Sequence, residues 1–170
     1  MRIVTTPMCE EIVKLAGIDD YAINKFPTSD DGDLAILLSE SKTDMDSIYL
    51  KLNTFNQIVE SIEKVADRCG TECIIDFNEC EMAGKYLNCT PENSTKVKVY
   101  SNFLKDIVED MGFEISEEDY DYIVAPDYLI PKIEENQEVI IEIPSHGSVS
   151  PNPIKRACQR YAILEDFINK

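Results

Sequence analysis

A strand, a turn and a helix are written twice in this chain of 170 residues, and any fold must accommodate both copies. The first is RIVTTPMCEEIVKLAGI at 2–18, the second VKVYSNFLKDIVEDMGF at 97–113. In the first copy Ile3 and Val4 are β-branched and suit a buried strand. Thr6 is placed to cap a helix through its hydroxyl, and Pro7 follows where a missing N–H costs nothing. Met8, Cys9, Ile12, Val13, Leu15 and Ala16 fall on one helical stripe, which Gly17 ends in the left-handed conformation. In the second copy Val97 and Val99 form the strand and Ser101 the cap. Phe103, Leu104, Ile107, Val108 and Met111 form the stripe, and Gly112 is the stop. Glu10 aligns with Lys105 and Gly17 with Gly112, both 95 positions apart, so no gap is needed. Each copy leads to a further strand opening on an aspartate, Asp33 and then Asp121, 88 positions apart. A structural duplication fits this pattern, and so does the chance recurrence of short strand-turn-helix units in α/β proteins.

The remainder of the chain reads around these copies. A strand is expected at 21–25, a turn-rich loop at 27–32, and a strand buried on both faces at 34–38. Residues 39–46 are polar, and 48–52 alternate as a strand does. The best helix is 54–70, where Thr54 and Gln57 fit a capping box. Its stripe is Phe55, Ile58, Ile62, Val65 and Cys69, and Gly70 stops it. A short strand at 73–77, a short helix at 80–87 and a loop at 90–95 follow. In the second half 115–120 reads as an acidic surface connection, 122–125 as a strand stopped by Pro126, and 139–143 as another ending at Pro144. Asn152 and Pro153 open the last helix. Strands alternating with helices predict an α/β fold, three-layer and Rossmann-like, with a mostly parallel sheet and two similar strand-helix halves. The chain forms one domain over 1–170, or two lobes at 1–89 and 96–170.

Composition narrows the function. Sixteen basic against 33 acidic residues give a net charge of −17, which repels phosphate backbones and anionic membranes. Nucleic acid and membrane are therefore excluded as expected partners, while simple solubility or a basic protein partner remains. No charged leader with an apolar core and no membrane-length apolar run is present, which predicts a cytoplasmic protein. Six cysteines are then expected as thiols rather than disulfides. Asn88-Cys-Thr and Asn93-Ser-Thr match a glycosylation pattern that has meaning only after secretion.

Parallel sheets bind ligands at the carboxyl ends of their strands. That rule gathers Thr5, Thr6, Ser101, Asn102, Ser145, His146 and Ser148 around one crevice, provided their strands lie side by side. The expected ligand is a small anion, a metal chelate or a tetrapyrrole-like cofactor. The loop at 145–153 holds the only histidine and precedes a helix start followed by Lys155 and Arg156, a setting that suits an anion. His146 could bind a metal or move a proton, or the loop could be a surface turn whose hydroxyls satisfy its own backbone. Cys9 is a catalytic candidate through the helix dipole, or an inert packed thiol. Cys69, Cys73, Cys80 and Cys89 invite a zinc or iron–sulfur site, although their spacing matches no established pattern and core thiols fit as well. No GxGxxG, GxxxxGK[ST], HExxH or GxSxG motif occurs, so no cofactor is legible. A binding or accessory protein is the first reading. An enzyme using His146 or Cys9 and an acidic assembly factor docking a basic protein are the alternatives.

The segments TTPMCEEIVKLAGIDDYAI, DLAILLSES and NTFNQIVESIEKVADRCG, within 5–70, together resemble the N-terminal half of the helical-linker periplasmic-binding fold, which is related to the nitrogenase-like layout. The resemblance implies an α/β half of this kind. The periplasmic role of those receptors does not carry over, because the chain is shorter and lacks a signal peptide. LKLNTFNQIVESI and IPSHGSVSPNPIKRA resemble the small archaeal proteins grouped as methanogenesis markers, of the marker protein 5 type. That resemblance implies a cytosolic role linked to methanogenesis. Neither family transfers a catalytic residue.

Overall fold

A computed structural model describes residues 1–134, 139–145 and 147–170. Its contacts divide the chain into two compact units. One is Met1–Asn78 with Ser150–Lys155, the other Glu79–Val149 with Arg156–Lys170.

The first unit is built on β1 (Ile3–Thr5), β2 (Ala22–Ile23), β3 (Leu34–Leu38) and β4 (Ser47–Leu50), with α1 (Glu10–Leu15) and α2 (Phe55–Cys69). Its sheet has the order β2-β1-β3-β4 and is parallel throughout. β1 and β3 are central, and their residues Val4, Leu34, Ala35, Ile36 and Leu37 are enclosed, as an unbroken apolar run requires. Ile12 and Val13 of α1 are fully buried, as are Ile58, Ile62 and Val65 of α2, and the two helices pack together. Each such side chain contributes about 1.5–3 kcal/mol on burial. Thr54 and Gln57 close the expected capping box, and Gly70 ends α2 in the left-handed conformation.

The second unit repeats the plan. β5 (Lys96–Val99), β6 (Glu114–Ile115), β7 (Tyr122–Pro126) and β8 (Ile140–Ile143) form a parallel sheet of order β6-β5-β7-β8. With it go α3 (Glu81–Tyr86), α4 (Asn102–Asp110), a 3-10 helix at Asp127–Lys132, and α5 (Pro153–Ile168) from Arg156 onward. Asn152 caps α5 by accepting from the N–H groups of Ile154 and Lys155.

The echo in the sequence is thus a structural repeat, and its details match. The N–H of Ile18 reaches the Val13 carbonyl and that of Gly17 the Lys14 carbonyl; Phe113 with Val108 and Gly112 with Glu109 do the same. Both pairs make the Schellman closure of a helix C-terminus. Asp33 accepts from the backbone N–H of Arg2 at 2.7 Å, and Asp121 from that of Lys96 at 2.9 Å. In return the N–H of each aspartate donates to the carbonyl of the same partner. The opening aspartates therefore fasten the third strand of each sheet to the start of the first.

The α/β, three-layer, Rossmann-like class forms as expected, with the strands shared between two sheets. Several local expectations are corrected. Thr6 does not cap α1 through its hydroxyl. Its carbonyl accepts from the Cys9 N–H in a turn over Pro7 and Met8, and the helix starts later, after an N-cap at Cys9 that has no side-chain bond. No strand forms at 73–77: Ile74 is 66% exposed, and its N–H donates to the Leu15 carbonyl, across the end of α1. The stretch 115–120 is not wholly a connection, because Glu114 and Ile115 form edge strand β6. Finally, Cys80 and Cys158 form a disulfide.

Candidate functional site

The carboxyl ends of β5, β7 and β8 bring polar groups together within the second unit. β5 runs into Tyr100, whose N–H donates to the Val124 carbonyl, and then into Ser101, whose hydroxyl accepts from the Leu104 N–H at the start of α4. β7 ends at Pro126 and is followed by Asp127. β8 is followed by Pro144 and Ser145. The Asp127 carboxylate ties the last two ends together. It accepts from the Ser145 hydroxyl, from the Ser145 N–H at 3.1 Å and from the Tyr128 N–H at 2.9 Å. The Ser145 hydroxyl bond, helped by these amides and by the charge of Arg160, holds the Asp127 carboxyl below the usual carboxylate range.

Arg160 lies against the same strand ends. Its Nε donates to the Pro144 carbonyl at 3.2 Å, and its guanidinium carbon stands 4.6 Å from the centre of the Phe103 ring in the first turn of α4. The residue is only 5% exposed. Burial pushes its pKa down to about 10; the charge of Arg156 adds to this, and Asp127 opposes it. Arg156, one turn earlier on the same face of α5, is also buried. Two arginines are thus buried on one helix face, with the Asp127 carboxylate close enough to Arg160 to act on its charge.

The candidates from the sequence fall as follows. Ser101, Asn102, Ser145 and Ser148 lie beyond the strand ends of the second sheet, with Asn102 and Ser148 exposed. His146 lies outside the described residues. Thr5 and Thr6 belong to the first sheet, and the Thr5 hydroxyl is buried and spent on the Ile36 carbonyl at 2.9 Å. The strand before Thr6 is not beside those before Ser101 and Ser145, so the premise of neighbouring strands in one sheet is corrected. Cys9 is fully enclosed in the core of the first unit. Of the four cysteines considered for a metal, Cys80 is bound to Cys158, Cys69 and Cys73 are half-buried, and Cys89 is exposed. Burial raises the pKa of the Cys69 thiol. Among the described residues no group of three or more metal-ligating side chains gathers.

In the first unit a shallow open depression is lined by Tyr49, Lys51, Gln57, Glu60, Ser61 and Lys64. Its polar groups are largely committed: Gln57 to the cap of α2, the Ser61 hydroxyl to the Lys51 carbonyl, and the Lys64 ammonium to the Tyr49 carbonyl. Sequence reading passed over Asp127 and Arg160. The available signals were an aspartate directly after a strand, and arginines four apart on the face that also carries Leu164.

The second unit is thus a parallel α/β unit with cationic and hydroxyl groups at its strand ends. Residues 94–169, which run from just before β5 to the end of α5, match the model of the MJ0786 family C-terminal domain. No curated protein matches the chain at a significant level. Among the described residues no helix is long and apolar enough to cross a membrane.

Proposed function

We propose that the protein binds a small anion at the strand ends of its second sheet and acts as a binding or accessory protein. One observation carries the reading: the guanidinium of Arg160 is almost wholly buried, stacked on Phe103, and a turn from a second buried arginine. The Ser101 hydroxyl, at the start of α4, adds a donor on one side. The net charge of −17 opposes an anion at long range, but salt screens that field beyond about 8–10 Å. Contact with desolvated guanidinium groups outweighs it at short range. Phosphate and carboxylate both match the planar fork of an arginine. A link to methanogenesis rests on the resemblance of LKLNTFNQIVESI and IPSHGSVSPNPIKRA alone.

Calorimetric titration with phosphate, sulfate and small di- and tricarboxylates tests the reading. At least one should bind, more weakly as salt is raised, and Arg160→Gln should abolish binding while the far-ultraviolet spectrum stays unchanged. Arg160→Lys, which keeps the charge and loses the fork, should retain only part of it. Absence of binding by all of these anions to the wild-type chain would sink the proposal.

A further inference from the structure

We propose that the Cys80–Cys158 disulfide is a redox-active latch that fastens α3 to α5 and is opened by a dithiol reductant. α3 has six residues, no side-chain cap at Cys80, and Gly84 in its interior. A helix this short does not persist without tertiary support. The described contacts that hold it against α5 are the disulfide, the tilted pair of Tyr86 and Tyr161 rings at 5.1 Å, and the Lys85–Glu165 ion pair. The ion pair is half open to water on the lysine side and adds little.

A second, independent observation shows that the closed arrangement carries a cost. Lys85 meets only one oxygen of Glu165; the other, Oε2, is buried with no hydrogen-bond partner among the described residues. An acceptor left in that state penalises the closed form, and release of α3 would return it to water. The disulfide offsets that penalty. Cys158 is the more exposed residue of the pair, half-buried where Cys80 is 6% exposed, and is the side from which attack is expected.

Opening is thiol–disulfide exchange. A thiolate of the reductant attacks the Cys158 sulfur, the S–S bond breaks, and Cys80 leaves as a thiolate that takes up a proton. The reductant's second thiol then displaces Cys158, which is also protonated. The protein gains two electrons and two protons, and the reductant becomes a disulfide. This proposal does not depend on the anion site.

Hydrogen exchange on the full chain, air-oxidised and then reduced with dithiothreitol, tests it. The oxidised chain should present four alkylatable thiols under denaturing conditions and the reduced chain all six. On reduction the amides of α3 should lose about tenfold or more of their protection while β5, β7 and β8 keep theirs. Glu165→Leu, which removes the stranded oxygen, should restore part of the α3 protection in the reduced chain. Six free thiols in the oxidised chain would overturn the proposal. So would unchanged α3 protection on reduction, a loss spread over the whole second sheet, or a Glu165→Leu variant in which α3 opens further.

Discussion

Gly17 and Gly112 sit at φ of +75° and +81°, and each faces a backbone carbonyl, of Glu72 and of Pro91, that a Cβ would strike. Two separate demands meet there, the left-handed twist and the lack of room. Gly17→Ala and Gly112→Ala should each cost about 2 kcal/mol or more, read as a lower urea midpoint with an unchanged slope. Asp127 provides a pH test. Its folded pKa is depressed, so its contribution is fully present above the unfolded value of about 3.9 and is lost as pH falls through the lower folded value. Wild type should therefore exceed Asp127→Asn in urea stability at neutral pH, and the gap should narrow as pH falls below about 4. At this scale the glycines and the opening aspartates were legible in the sequence, because their residue types have few other uses at those positions. Arg160 was not, because an arginine among Ala157, Cys158 and Tyr161 reads as an interruption of an apolar face until its burial is known.

Long, strongly periodic elements were the readable ones. α2 starts and stops where Thr54 and Gly70 require, and its reciprocal cap makes a clear prediction. Thr54→Ala should cost about 1 kcal/mol, measured by thermal unfolding, and Asn152→Ala at the start of α5 should cost a similar amount. Short elements were not readable, for a physical reason. β6 has two residues and is a strand only because Lys96 and Val97 of β5 lie alongside it. The stretch 73–77 has strand-like residues but gains no strand partner. The Ile74 N–H goes to the Leu15 carbonyl at the end of α1, and Ile74 and Ile75 are left exposed. The turn before α1 escaped notice because Pro7 fits a tight turn as well as it fits a first helical position.

For the whole molecule, charge sets behaviour in solution. With a sequence pI of about 4.3, solubility should fall steeply as pH approaches that value and recover on either side, as light scattering would record. The doubling of one strand-helix plan was visible in the sequence because both halves keep the same stop glycines. The division of the strands into two sheets was not visible, since apolar strands of parallel sheets look alike whichever neighbour they take. The contact boundary also passes through α5: Ser150–Lys155 goes with the first unit, and Arg156 onward with the second. Scission of the chain at any one bond would therefore strand part of one unit on the other's fragment. Anyone who wishes to express the halves apart, or exchange one for a foreign counterpart, must graft the Ser150–Lys155 segment back as a separate piece.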